Sequence, residues 1–255
     1  MIQLFDVLAH LNDRRIMISL PLVLARAAQA GISDILSAGV DPSTDLALPT
    51  SSFPRVHRAY GIHPSASHTG DFAALDQRLD EPGVVCMGEI GLDARENMPP
   101  LDVQIAVLET QLRIAKARDL PIIFHCVRAH GLLLESIRRA KIDVPCAVHG
   151  FSGSPEQAKL WMDVGCYLSF GGLVTRPAAI RCRRSAAYVP LAHMLLESDA
   201  PDHSPSGVGS SEPADILSIA HGVSELKNCP WSDVAEITHR NACTFLRLAE
   251  CPFPS

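Results

Sequence analysis

Short β-rich runs alternate with helix-forming stretches along the whole chain, and this alternation restricts the fold more than any single residue does. Strands are expected at residues 2–8, 32–38, 56–61, 84–88, 121–125, 144–149, 166–170 and 193–197. Helices are expected at 20–30, closed by Gly31, then at 72–79, 101–118, 131–140, 155–164, 177–187, 212–226 and 231–248. The 101–118 stretch carries Ile105, Leu108, Leu112 and Ala115 at three- and four-residue spacing, the signature of one buried helical face. Ser154 stands where an N-cap for the 155–164 helix belongs. Eight strands alternating with helices predict an α/β fold, a (β/α)8 TIM barrel. The 255 residues suit one such barrel, and no shift in composition marks a linker, so a single domain over 1–255 is expected.

Composition narrows the function classes. With 28 acidic against 22 basic residues the formal charge is −6, which disfavours broad adhesion to duplex DNA while leaving room for a local basic groove. No stretch approaches 18 uninterrupted apolar residues and residues 1–10 lack a leader pattern, so neither a membrane span nor a signal peptide is expected. The eight cysteines form no C-x-x-C pair and several lie in apolar runs, which fits reduced thiols and a cytoplasmic location.

The chemistry lies in where histidines and acids fall. His10 follows strand one, His63 ends strand three, and Glu89 follows the apolar run Val84-Val85-Cys86-Met87 between Gly88 and Ile90-Gly91. His125 ends strand five, His149 ends strand six and Asp199 follows strand eight. In a barrel all six converge on the C-terminal rim, where catalytic groups collect. A carboxylate at a buried strand end needs a cation, a donor or a proton, and Glu89 is read as the bridging ligand of a metal site. Taken singly, His125 also suits a hydrogen-bonded structural role, Glu89 a helix cap and Asp199 a turn. Together, imidazoles and carboxylates suit one or two divalent ions, Zn, Mn, Mg or Fe, with Asp199 orienting or deprotonating a water. The Ser/Gly/Pro-rich segment 202–211 is expected to border this rim.

Among basic side chains, Arg128 and Arg176 lie nearest strand ends and are the candidates for binding phosphate; Arg95 also follows a strand. The cluster Arg181, Arg183 and Arg184 is read as a solvated helix face. Aromatics for base stacking are scarce: Phe151 lies near the rim, while Tyr167 and Phe170 are expected in the core.

Five segments in order resemble the successive motifs of the TatD family of metal-dependent deoxyribonucleases. They are Gly61-Ile62-His63-Pro64, Gly88-Glu89-Ile90-Gly91-Leu92-Asp93, Leu120-Pro121-Ile122-Ile123-Phe124-His125, His149-Gly150-Phe151-Ser152-Gly153-Ser154 and Glu197-Ser198-Asp199-Ala200-Pro201. The resemblance implies a TIM-barrel hydrolase with a one- or two-metal centre that cleaves phosphodiester bonds, typically as a 3′ to 5′ exonuclease on single-stranded DNA. It implies that Glu89 bridges the metals, His125 and His149 bind one, His10 and Asp199 bind the other, and His63 faces substrate. A monomer is expected. Three positions depart from the pattern: Leu8 stands where the family has a first histidine ligand, Val127 where it has an arginine, and Ser210 where it has another. Leucine cannot coordinate, so one ion would keep only His10, Glu89 and Asp199. Two other readings follow from the departures: a catalytically weakened subunit that binds a protein partner, and a hydrolase of small esters, amides or lactones.

Overall fold

Residues 2–46, 48, 53–205, 207 and 209–249 are described by the computed structural model. The remainder of the expected 1–255 domain, with Cys251, Ser206 and Val208, lies outside the described residues.

Eight strands form one parallel sheet in sequential order: β1 (Leu4–Ala9), β2 (Ile32–Ala38), β3 (Arg55–Tyr60), β4 (Val84–Asp93), β5 (Ile122–Val127), β6 (Cys146–Val148), β7 (Tyr167–Phe170) and β8 (Met194–Leu196). The helices are α1 (Arg14–Met17), α2 (Leu20–Gln29), α3 (Phe72–Leu79), α4 (Leu101–Ala117), α5 (His130–Ala140), α6 (Pro155–Met162), α7 (Ile180–Tyr188), α8 (Ile216–Lys227) and α9 (Trp231–Phe245). The expected TIM barrel is the fold found, as a single domain with the strands nearly closed into a barrel. Beyond the ends of β1 and β8 the chain makes an isolated parallel bridge, Ala9 to Ala200. His10 donates its N–H to the Ala200 carbonyl at 2.7 Å, and Asp199 donates to the Leu8 carbonyl at 2.9 Å. Below this bridge the fully buried Asp6 carboxylate accepts from Ser198 N at 2.8 Å and Ser198 Oγ at 2.5 Å, so the last strand is held to the first by side-chain as well as backbone bonds.

Local chemistry sets the helix ends. Ser154 accepts from Gln157 N and the Gln157 side chain returns to the cap backbone, a reciprocal capping box. Asp71 caps α3 by accepting from Ala74 N. Gly31, at φ +88°, supplies the left-handed residue that lets the chain leave α2 and enter β2. On α2, Leu20, Val23, Leu24 and Ala27 recur at helical spacing and are buried, the face a helix needs to pack on the barrel. The main apolar cluster lies between strands and helices. A second, smaller one holds Leu8, Leu36, Ala38, Ile123 and Leu195 together with Ala242 and Phe245 of α9.

One boundary differs from expectation in a way that matters. β4 does not end at residue 88 but runs to Asp93, so Glu89 sits inside a strand. Its pairing with β5 steps from Met87 opposite Ile122 to Ile90 opposite Phe124, three residues against two. That extra residue is a β-bulge, which re-aims side chains without ending the strand.

Away from the rim, Asp34 near the start of β2 is 0% exposed. Its carboxylate accepts from Arg55 Nε and Nη2 at 2.8 Å each, from His57 Nε2 at 2.8 Å and from Ser33 Oγ at 2.7 Å, with His239 Nε2 at 3.6 Å. Burial pushes the Asp34 carboxyl up, and the His239, His57 and Arg55 bonds overcome it, holding it far below the carboxylate range. Burial lowers His239, but Asp34 outweighs this and raises it from 6.5 to about 9. The His239 contribution is therefore complete below pH 6.5 and lost as pH rises through 9, while that of Asp34 is lost as pH falls below its ordinary value. Asp34→Asn, which leaves the cations facing a neutral amide, is expected to lower unfolding free energy by about 3–5 kcal/mol in urea denaturation. The gap to the unmodified protein should narrow between pH 6.5 and pH 9.

Candidate metal centre

Glycine makes the close approach of β4 to β5 possible. Gly91 lies opposite His125 at φ +152°, and a Cβ there would overlap the His125 carbonyl and amide nitrogen. With no side chain at 91, Glu89 and His125 are brought to hydrogen-bonding distance, Oε1 to Nδ1 2.8 Å. His149, one residue past β6, points Nε2 at the same Oε1 at 2.5 Å, and lies 3.0 Å from His125 Nδ1. The other oxygen, Oε2, faces His10 Nε2 at 3.4 Å, and His10 Nε2 stands 3.5 Å from Asp199 Oδ1. Five of the six expected groups thus meet around one carboxylate that is 2% exposed.

His63 joins differently. Its ring packs edge-on to His125 at 4.4 Å between centroids, and Nε2 is 3.9 Å from Glu89 Oε1. Together, His63, Glu89 and His125 offer donor atoms within 4.8 Å of one another. However, His63 Nδ1 accepts the Ser65 backbone N–H at 3.1 Å, which puts the proton of the neutral ring on Nε2. A protonated nitrogen has no lone pair for an ion, so His63 suits donation to an anion better than coordination.

The electrostatics follow from burial against neighbours. Burial pushes Glu89 up, yet the imidazoles of His149, His125 and His63 hold it well below the ordinary carboxylate range. Burial lowers His149 and His125, and Glu89 with Glu197 or Asp93 more than reverses this for each. His10 is raised to about 9 by Asp199 and Glu89 against its own burial. Burial, reinforced by the neighbouring histidines, depresses His63 to about 3 despite Glu89.

Two carboxylates of the motifs take roles that motif reading left unassigned. Asp93 Oδ2 lies 3.1 Å from His125 Nε2, and Arg95 Nε in turn holds Asp93 at 2.9 Å. Glu197 Oε1 lies 3.6 Å from His149 Nδ1 and accepts the Gly150 N–H at 2.5 Å. His10 directs Nδ1 to the Ala38 carbonyl at 3.0 Å. His125 and His10 therefore each have one nitrogen on an oxygen acceptor and the other turned toward Glu89, the arrangement that fixes the tautomer of metal-binding imidazoles, whereas His149 Nδ1 faces Glu197 beyond hydrogen-bonding distance. His149 Nδ1 and Glu197 Oε2 are buried without a hydrogen-bond partner. A donor set of imidazoles and carboxylates, oriented this way around a buried anion, fits a divalent ion. The available signal for Asp93 was strand alternation, four residues on from Glu89 on the same strand.

The centre lies in a cavity of about 1160 Å³. Arg128, exposed and at φ +55°, lines it as expected. Arg176 does not: its guanidinium donates to the Ser204 carbonyl and packs under Gly207. Arg181, read from sequence as part of a solvated face, instead lines the cavity with Nε on the Ser152 carbonyl. Helix periodicity places a residue on a face but not against a neighbouring loop. Arg184 is exposed, whereas Arg183 is half-buried and donates to the Val174 carbonyl. Phe151 lines the cavity at 2% exposure, and Phe170 is buried in the core as expected.

The model of TatD related DNase matches residues 5–247. The chain belongs to the TatD family. It is 33% identical over 235 residues to the uncharacterized metal-dependent hydrolase YjjV of Escherichia coli K12, covering 88% of this chain and 90% of that one. It is 28% identical to the 3′-5′ ssDNA/RNA exonuclease TatD of Edwardsiella piscicida, over 96% of this chain and 100% of the relative. The crystal structure of Escherichia coli YjjV, a TatD homologue, superposes with a TM-score of 0.89 at 31% identity, covering 96% of this chain and 98% of that one. A TatD-family chain with this centre is a metal-dependent hydrolase.

Asp93→Asn removes the charge behind His125 while keeping its shape. Divalent affinity is expected to fall about 10- to 100-fold in competition titration against a chromophoric chelator, with the circular dichroism spectrum unchanged.

Proposed function

We propose that this TatD-family hydrolase cleaves phosphodiester bonds, acting as a 3′ to 5′ exonuclease on single-stranded DNA, with Glu89, His10, His125, His149 and Asp199 as its metal ligands. The observation carrying this reading is Glu89, a buried carboxylate whose two oxygens face imidazoles on opposite sides. The Edwardsiella relative, a 3′-5′ ssDNA/RNA exonuclease, supports the substrate class.

When bound, a divalent ion would supply Lewis-acid polarisation of a phosphoryl oxygen and a lowered pKa for water. The chain supplies the rest. Asp93 and the Ala38 carbonyl hold His125 and His10 with their front nitrogens toward Glu89, and Glu197 places its charge beside His149. Asp199, 8% exposed and lining the cavity, accepts the proton of the attacking water, with His10 Nε2 3.5 Å away to stabilise the carboxylate. His63 donates Nε2–H toward the scissile phosphate. Arg128 is free of any carboxylate among the described residues and offers its fork to a phosphate.

A second reading keeps the hydrolysis and shortens the substrate. Phe151 is the one Phe, Tyr or Trp among the lining residues, and it is almost fully buried, so successive bases find little to stack on. Val127 and Ser210 leave two expected cations missing from this rim. A small ester or a dinucleotide fits this lining.

A single-stranded oligonucleotide labelled at the 5′ end, incubated with Mn²⁺ or Mg²⁺, is expected to shorten from its 3′ end and to stop doing so with chelator. Asp199→Ala should lower the rate about 10²- to 10⁴-fold, and Glu89→Ala at least as much. An intact oligonucleotide alongside hydrolysis of a short phosphodiester would select the second reading.

A further inference from the structure

The two oxygens of Glu89 face unequal donor sets. On the Oε1 side, His125 Nδ1 and His149 Nε2 lie 2.8 and 2.5 Å away and 3.0 Å from each other. His125 is backed by Asp93 at 3.1 Å, a hydrogen bond that raises the basicity of the nitrogen in front, and the Glu197 carboxylate faces His149 Nδ1 at 3.6 Å. On the Oε2 side a single imidazole, His10, stands 3.4 Å away, with Asp199 Oδ1 a further 3.5 Å beyond it. His10 is backed only by a neutral carbonyl. Leu8, two residues earlier on β1, is 0% exposed in the inner apolar cluster and offers this side nothing. The remaining imidazole near this end, His203, is exposed, 3.6 Å from Asp199 Oδ2.

We propose that, given the metal-hydrolase reading above, the centre holds one resident divalent ion at the Glu89 Oε1, His125 and His149 end, while the His10–Asp199 end takes a second ion only weakly and in exchange with solvent. Two imidazoles, one of them hydrogen-bonded to a carboxylate behind it, and a carboxylate oxygen form a compact, nitrogen-rich set that suits borderline ions such as Zn²⁺. One imidazole with two carboxylates, spread over longer distances, suits hard ions such as Mn²⁺ or Mg²⁺, which keep several waters and leave readily. The unequal ends make the second ion a variable of solution conditions, so its concentration regulates the centre while the first ion stays in place.

Elemental analysis of the full chain, loaded with Zn²⁺ and dialysed against metal-free buffer, is expected to give one equivalent. Asp199→Asn should retain that equivalent and His149→Ala should lose it. Mn²⁺ added to the one-ion protein should bind at least about 10-fold more weakly, read from loss of the free-ion signal in electron paramagnetic resonance. Leu8→His, which adds an imidazole to the weak side, should raise the retained content to two equivalents. Two equivalents in the unmodified chain overturn the unequal centre, whether or not His203→Ala reduces them to one, and leave the hydrolase reading intact. Loss of the ion in Asp199→Asn with retention in His149→Ala also overturns it. No ion in any form, even at saturating Zn²⁺ or Mn²⁺, overturns both. Should Leu8→His fail to fold, the Asp199→Asn and His149→Ala pair still decides the location.

Discussion

A negative charge buried inside a strand is the constraint around which this molecule is arranged. Removing a carboxylate from water costs several kcal/mol unless cations or donors replace the lost hydration. Glu89, at 2% exposure, receives three imidazoles and a fourth at longer range. Those rings in turn need anchors, which is why Asp93 and Glu197 lie behind two of them. The buried anion thus generates successive layers of compensation, and an ion is the natural centre of such an arrangement.

The barrel makes this affordable by bringing strand ends together that are far apart in sequence. His10 and Asp199 are joined where the end of β1 meets the segment after β8, with backbone bonds at residues 8, 10, 199 and 200 fixing both. The bulge in β4 turns Glu89 toward the middle of the rim, and the missing side chain at Gly91 admits His125 beside it. Lining the cavity, Arg15 at the start of α1 pairs with Asp13 and Asp202, tying the segment after β1 to the neighbouring loop after β8.

Alternating apolar periods made the eight-stranded barrel legible, and most element boundaries fall within a few residues of expectation. The exception is β4, where Gly88 and Gly91 look like punctuation in sequence but serve as bulge and close-approach positions in a continuing strand. The convergence of His10, His63, Glu89, His125, His149 and Asp199 was also readable, because strand ends in a parallel barrel share one face. Arginine placement was not. Arg176 turns under the loop after β8 and Arg181 reaches the cavity through the Ser152 carbonyl, choices made by loop contacts that carry no periodic signal.

Sequence by itself determined the fold class, the family and the types of group at the rim, since these depend on local periodicity and on motifs only a few residues long. Tertiary structure alone decided which nitrogen each histidine turns toward Glu89, which carboxylate stands behind it, and that the two oxygens of Glu89 meet unequal partners. Those outcomes rest on distances of a few ångströms between residues 24 to 189 positions apart, and such distances are set by strand register, one bulge and one absent side chain.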